Sequence, residues 1–302
     1  MRESTTGALL VLGAAAGFGT IGIFGEIAVA IDLRLSTLLP VRFALATLVV
    51  MTLGVARGWA LPGSRRAWAG TLALGVVYTG MTLCFFVSLR YLTAGIATIV
   101  LYTYPTFVVA LSAAVLGEAV TRRKLLALGL ATVGVVLVVS GGTVEVQPLG
   151  VALAIGAAVC YAVYTTGSRS LSPSMPPRTL MIGILVGTTV SMAGYGALDG
   201  GLALPTAADE WGVVLGLAIV STVVPHLLFY EGVSRLEAGR VGVVSTAEPV
   251  VTVTLGAALL GEPVTVSVVA GGALVIGGVL VVQSGGDSGA LPEAPAVADS
   301  EE

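Results

Sequence analysis

Glu248 stands directly before Pro249, and His226 directly after Pro225, each inside a long run of otherwise apolar residues. An ionisable group in such a run is costly to hold and is by default a candidate for function. A carboxyl group there can exchange a proton or meet a polar part of a substrate. Equally, it can satisfy the backbone groups that a proline inside a helix sets free. The imidazole of His226, the one histidine in the chain, can bind or relay a proton, or it can be a hydrogen-bonded packing residue. Pro105, Pro225 and Pro249 are the expected hinges, since each removes a backbone donor and bends a helix.

Depth suggests a second charged couple. Glu26 lies a few residues before the end of the first apolar run, and Arg42 a similar distance into the second. At about 1.5 Å per residue the two are expected at comparable depth, paired across neighbouring helices. Such a couple is a gate that opens when the pair breaks, or a static ion pair, or charges that snorkel to the interface. Phe18, Tyr102, Tyr104, Tyr161 and Tyr230 fall within or near the same runs, as pocket lining or as core filling. Together with Glu248 and His226 they form the candidate substrate and proton site. No metal site is expected.

The elements that must hold these residues follow from composition. The chain has 302 residues, of which 56% are hydrophobic and 10% charged, and its mean hydropathy is +1.01. A soluble domain needs roughly a quarter of its residues charged, so the exterior must face lipid. Spans of about 20 apolar residues are expected at 7–30, 36–55, 68–89, 94–116, 125–140, 149–166, 179–197, 211–230, 241–260 and 264–283. Trp59, Trp68 and Trp211 fall at their ends, as interfacial belt residues do. The acidic, Pro- and Ala-rich segment 284–302 cannot bury a core and is expected to be a disordered tail.

Basic residues accumulate on one side of this ten-span arrangement. Arg2, Arg57, Arg65, Arg66, Arg122, Arg123, Lys124, Arg169, Arg178, Arg235 and Arg240 share it, against Arg34 and Arg90 on the other. The positive-inside rule then puts both termini in the cytoplasm of a cell whose plasma membrane the chain crosses.

The second half repeats the first at an offset of about 144 positions. Pro105, Gly117-Glu118 and Val120-Thr121 lie over Pro249, Gly261-Glu262 and Val264-Thr265. Phe85, Leu92, Ala94 and Gly95 meet Phe229, Leu236, Ala238 and Gly239. Tyr104 is then the counterpart of Glu248 and, with a one-residue adjustment, Phe18 that of Tyr161. Five spans in each half force opposite orientations. Inverted repeats are the usual architecture of alternating-access carriers, with the site between the halves near midplane. The expected fold is thus all-α and integral to the membrane, with repeats at 7–141 and 149–283.

These residues resemble the drug/metabolite transporter superfamily, and within it the exporters built from two EamA domains. The resemblance runs over nearly the whole chain. It rests on Ser88-Leu-Arg-Tyr-Leu-Thr-Ala-Gly95 with its counterpart Ser234-Arg-Leu-Glu-Ala-Gly239, on Glu248-Pro249 followed by Leu260-Gly261-Glu262, and on Leu39-Pro-Val-Arg-Phe43. It implies a ten-helix inverted-repeat bundle with both termini inside, exporting metabolites, amino acids or drugs. That family's first span usually carries a Trp where this chain reads Gly17-Phe18-Gly19.

Other chemistries lack their residues. A pump would need a nucleotide site, but there is one lysine, Lys124, and no Gly-x-x-x-x-Gly-Lys. An intramembrane hydrolase would need Gly-x-Ser-x-Gly or His-Glu-x-x-His, and neither occurs. Cys84 and Cys160 read as packing residues. With a net charge of −3 there is no basic surface for nucleic acid, and no cofactor is called for. The expected partners are the lipid bilayer and a small substrate. Few charges face the presumed cavity, which disfavours phosphate-bearing cargo. A neutral, zwitterionic or weakly cationic metabolite is expected, moved by a secondary transporter for which proton coupling is one option. A passive facilitator or channel stays open as the alternative, and beyond it a membrane-embedded enzyme or interaction module.

Overall fold

The computed structural model describes residues 3–116, 121–140, 146–236 and 238–283. All of its regular elements are helical: α1 Glu3–Ala30, α2 Leu35–Ala56, α3 Arg65–Ser88, α4 Ala94–Leu101, α5 Tyr104–Leu116, α6 Arg122–Ser140, α7 Pro148–Leu171 and α8 Pro177–Leu198. There follow α9 Ala208–Leu215, a π-helical stretch Gly216–Val223, α10 Val224–Val233, α11 Ala238–Ser245, α12 Ala247–Leu255, a second π-helical stretch Gly256–Leu260, and α13 Val266–Gln283. Among the described residues nine helical segments have the length and hydropathy to cross a membrane, and Val266–Val281 is a shorter tenth. The segment 284–302 and Glu118 lie outside the described residues.

Three spans are interrupted, each just ahead of Pro105, Pro225 or Pro249. The fourth divides into α4 and α5 just before Pro105, and the ninth into α11 and α12 just before Pro249. Proline has no N–H to donate and its ring crowds the carbonyl four residues back, so the helix relaxes into a tighter turn immediately upstream. The two breaks fall at equivalent places in the two halves. The eighth span instead widens into a π-helical stretch ahead of Pro225. Such bulges gather at functional sites.

Packing follows the inverted repeat. The first helix of each half lies across the third and fourth spans of the other: α1 packs on α10 and α12, and α7 on α3, α4 and α5. The second spans of the two halves, α2 and α8, meet each other, and so do the fifth, α6 and α13. Each contact maps onto a partner contact when the halves are exchanged, so the bundle has the expected two five-helix repeats in opposite orientation.

Small residues let the axes approach. A Cβ on Gly134 would stand 2.6 Å from the Gly271 carbonyl oxygen, and one on Gly271 would stand 2.5 Å from that of Gly134. The outside of the bundle remains apolar, with Leu48, Leu125, Leu126, Val133, Val136 and Val190 exposed. In water such a surface would aggregate; in a bilayer it is solvated by lipid.

Candidate functional site

At the paired helix breaks, Tyr102 from the fourth span meets the start of α12. Its hydroxyl lies 2.9 Å from Glu248 Oε2 and 3.1 Å from the Ser245 carbonyl oxygen. Pro249 explains the second contact. The donor that would have closed a helical bond to Ser245 is absent, and the phenol takes its place. One phenolic hydrogen therefore faces two acceptors. With Glu248 ionised, the hydrogen is drawn to the carboxylate and the Ser245 carbonyl is left wanting. With Glu248 protonated, the carboxyl donates to Tyr102 and Tyr102 donates to Ser245, and every group is satisfied.

From Tyr102 a path of rings runs through the bundle. Tyr102 and Tyr104 have centroids 6.0 Å apart, Tyr104 and Tyr161 4.4 Å, and Tyr161 and Tyr164 5.9 Å and nearly parallel. Tyr164 lies 5.2 Å from Tyr78, and Tyr78 meets Phe43 edge-on at 6.0 Å. Tyr230 is within electrostatic reach of both Tyr78 and Tyr164. Tyr78, Tyr104, Tyr161, Tyr164, Tyr230 and Glu248 all keep partial exposure although they lie on the inner faces of the spans. They form one connected cluster of partly exposed polar rings that leads to Glu248.

Phe43 leads to Arg42, a side chain only 1% exposed. The expected pair of Arg42 with Glu26 does not form. Arg42 donates from Nε and Nη2 to Thr222 Oγ1, at 3.2 and 3.0 Å, and its guanidinium lies against the rings of Phe43 and Phe86. Thr222 in turn donates to the Leu217 carbonyl oxygen, five residues back in the π-helical stretch. Direction around the helix decides the partner, and Arg42 turns to the eighth span.

Glu26 turns elsewhere. Its Oε2 accepts from the Ala94 N–H at 3.0 Å, at the first turn of α4. Glu262, just past the end of the ninth span, accepts from the same N–H at 2.9 Å and from Gly95 N–H at 3.1 Å, and it hydrogen-bonds to Glu26. Two carboxyl groups in contact must share a proton. Burial, with the Glu26 bond and charge adding to it, holds Glu262 above the ordinary carboxylate range. Gly261, in the left-handed conformation at φ 71°, turns the chain so that Glu262 folds back over Gly256, where a Cβ would stand 2.6 Å from its carboxyl carbon.

His226 donates from Nδ1 to the Thr222 carbonyl oxygen at 2.6 Å and meets Phe18 edge-on at 5.0 Å. It is thus a hydrogen-bonded residue of α10 beside the Arg42–Thr222 contact. The Gly17-Phe18-Gly19 sequence has a packing reason. A Cβ on Gly17 would lie 2.4 Å from the Pro225 ring, and one on Gly19 would lie 2.9 Å from Val251. Only Phe18 between them can carry a side chain. Cys84 and Cys160 are free thiols.

The sequence-derived set thus divides. Glu248, Tyr102, Tyr104, Tyr161 and Tyr230 belong to one cluster of rings and polar groups, Phe18 and His226 pack against each other beside Thr222, and Glu26 lies apart with Glu262 and Ala94. Sequence reasoning missed Tyr78, Thr222 and Glu262. The repeat carried the signal for all three. Tyr78 and Thr222 occupy equivalent positions at the offset of 144 that also relates Gly117-Glu118 to Gly261-Glu262.

Comparison with known proteins yields concordant matches. The model of the EamA-like transporter family matches residues 5–140 and again 148–284. An uncharacterized transporter of Archaeoglobus fulgidus is 32% identical over 64% of this chain and 68% of its own length. The threonine/homoserine exporter RhtA of Escherichia coli K12 is 29% identical over 78% of this chain and 77% of its own length. A solved crystal structure superimposes with a TM-score of 0.66 at 21% identity, over 91% of this chain and 97% of that one, which speaks for the fold alone.

Proposed function

The chain belongs to the EamA-like transporter family and is a multi-pass membrane transporter, and on that premise we propose that it exports small neutral, zwitterionic or weakly cationic metabolites by alternating access, with Glu248 as its proton-exchanging group. One observation carries the reading: a single Tyr102 hydrogen shared between Glu248 and the Ser245 carbonyl, at the break of the ninth span. Protonation of Glu248 and the geometry of that break are thereby linked. A carrier needs such a link, because its coupling ion must favour one arrangement of the halves over the other.

In this reading the repeats are 7–141 and 149–283, both termini face the cytoplasm, and the Glu26–Glu262–Ala94 cluster closes the outer end. The distribution of Arg and Lys supports the orientation. Pro105 and Pro249 serve as hinges, and the tyrosine-lined cavity receives the substrate. The name of the E. coli relative supports cargo of amino-acid size.

Reconstitution into proteoliposomes tests the reading. Counterflow of a metabolite panel, run with and without an imposed pH gradient, should give saturable exchange that becomes net accumulation when the gradient is present. Flux that neither saturates nor shows counterflow would instead identify a passive channel.

A further inference from the structure

We infer that the Arg42 guanidinium recognises a substrate carboxylate, an assignment that rests on the transporter reading above and narrows it. Arg42 is a permanently charged group held 1% exposed, and among the described residues no acidic side chain pairs with it. Its guanidinium lies over the rings of Phe43 and Phe86, whose faces are partly negative but carry no full charge. A buried charge is ordinarily paired with an opposite one, and two rings and one neutral hydroxyl do not supply it. The site as built is short of an anion.

The geometry points to the form of that anion. The Nε–Nη2 edge is occupied by Thr222 Oγ1, while Nη1 has no hydrogen-bond partner. The remaining Nη1–Nη2 edge offers two parallel N–H donors, the fork that matches the two oxygens of a carboxylate. A path of neighbouring rings, Phe43, Tyr78, Tyr164, Tyr161, Tyr104 and Tyr102, runs from Arg42 to Glu248, so a molecule lying along it has a cationic end and an acidic end. A carboxylate at Arg42 turns the rest of the substrate along the rings toward Glu248. Among the small metabolites proposed above, those with a carboxylate are selected, and amines without one are refused.

The test uses the full chain in proteoliposomes and a panel of common amino acids, their primary amides, and the matching amines that lack the carboxyl group. The wild type should exchange the acids about tenfold or more faster than the amides and amines, since a site built for a hydrogen-bonded group rejects its absence. Arg42→Gln should bring the three classes to within a few fold of one another. Arg42→Lys keeps the charge but not the fork, and should fall between. Melting temperature and size-exclusion profile establish that each variant is folded, and the wild-type preference stands as evidence if Arg42→Gln is not. A wild type that exchanges amides and amines as readily as acids overturns the assignment while leaving the transporter reading intact. So does a folded Arg42→Gln that keeps the preference for acids. A wild type that exchanges nothing on the panel overturns both.

Discussion

Tyr102 reaches from the break in the fourth span to Glu248 beside the break in the ninth, with 2.9 Å between the phenol oxygen and the carboxyl oxygen. Two interruptions that the repeat makes equivalent are thus joined by one hydrogen atom. Tyr102→Phe should keep the ring contact with Tyr104 but leave the Ser245 carbonyl without its donor. The expected loss of stability is about 1–3 kcal/mol, the cost of an unsatisfied buried group, read from thermal unfolding in detergent. Coupled transport should lose its pH dependence while exchange persists. An unchanged pH profile would mean that the phenol does not report the state of Glu248.

Thr222 is the described side chain that hydrogen-bonds to Arg42. Thr222→Val keeps the shape and removes the hydroxyl, and should destabilise by about 2–3 kcal/mol, as expected for a hydrogen bond to a charged group. Thr222→Ser keeps the hydroxyl and should cost only about 1 kcal/mol, from the buried methyl it removes. Equal melting temperatures for the Val and Ser variants would argue against the contact.

The bundle was legible because lipid enforces a simple pattern: long apolar runs, short connections and a Pro–Gly-Glu signature repeated once. The identity of the cavity was legible in part. Glu248 and the tyrosines could be singled out because a polar atom inside an apolar run is conspicuous in any register. What the sequence did not disclose was rotation about each helix axis. Glu26 and Arg42 were expected at similar depth and as partners, yet one turns toward Ala94 and the other toward Thr222. In water an amphipathic stripe would have shown which face is inward; on a helix whose lipid and core faces are both apolar that signal disappears.

The crossing of α6 and α13 depends on bare backbone at Gly134 and Gly271. Gly134→Val should cost about 1–3 kcal/mol through overpacking, because the opposing atom is a carbonyl oxygen that cannot rotate away. Gly129 has no neighbour within 4 Å of a built Cβ, and Gly129→Ala should be neutral or slightly stabilising, since alanine is the better helix former. The pair of melting temperatures distinguishes a packing role from a general intolerance of change in this helix.

The cluster at the end of the bundle predicts a pH dependence of known sign. Glu262 is held above its ordinary range by burial and by Glu26, so the closed end favours its protonated form. Stability from this site is fully present below the ordinary carboxylate range. It is lost as pH rises through the elevated value toward neutrality. Melting temperature should therefore fall over that interval in the wild type, and Glu262→Gln should flatten the slope. A Gln variant with the wild-type slope would show that the dependence arises elsewhere.

In the proposed cycle Glu248 carries the proton that drives transport. Glu248→Gln keeps the size of the side chain and can still bond to Tyr102, but it cannot titrate. In proteoliposomes at equal pH on both sides, the variant should exchange substrate at a rate within a few fold of the wild type. Under an imposed pH gradient the wild type should accumulate substrate and the variant should not. A Glu248→Gln protein that still concentrates substrate under the gradient, with the wild-type dependence on pH, would contradict the account.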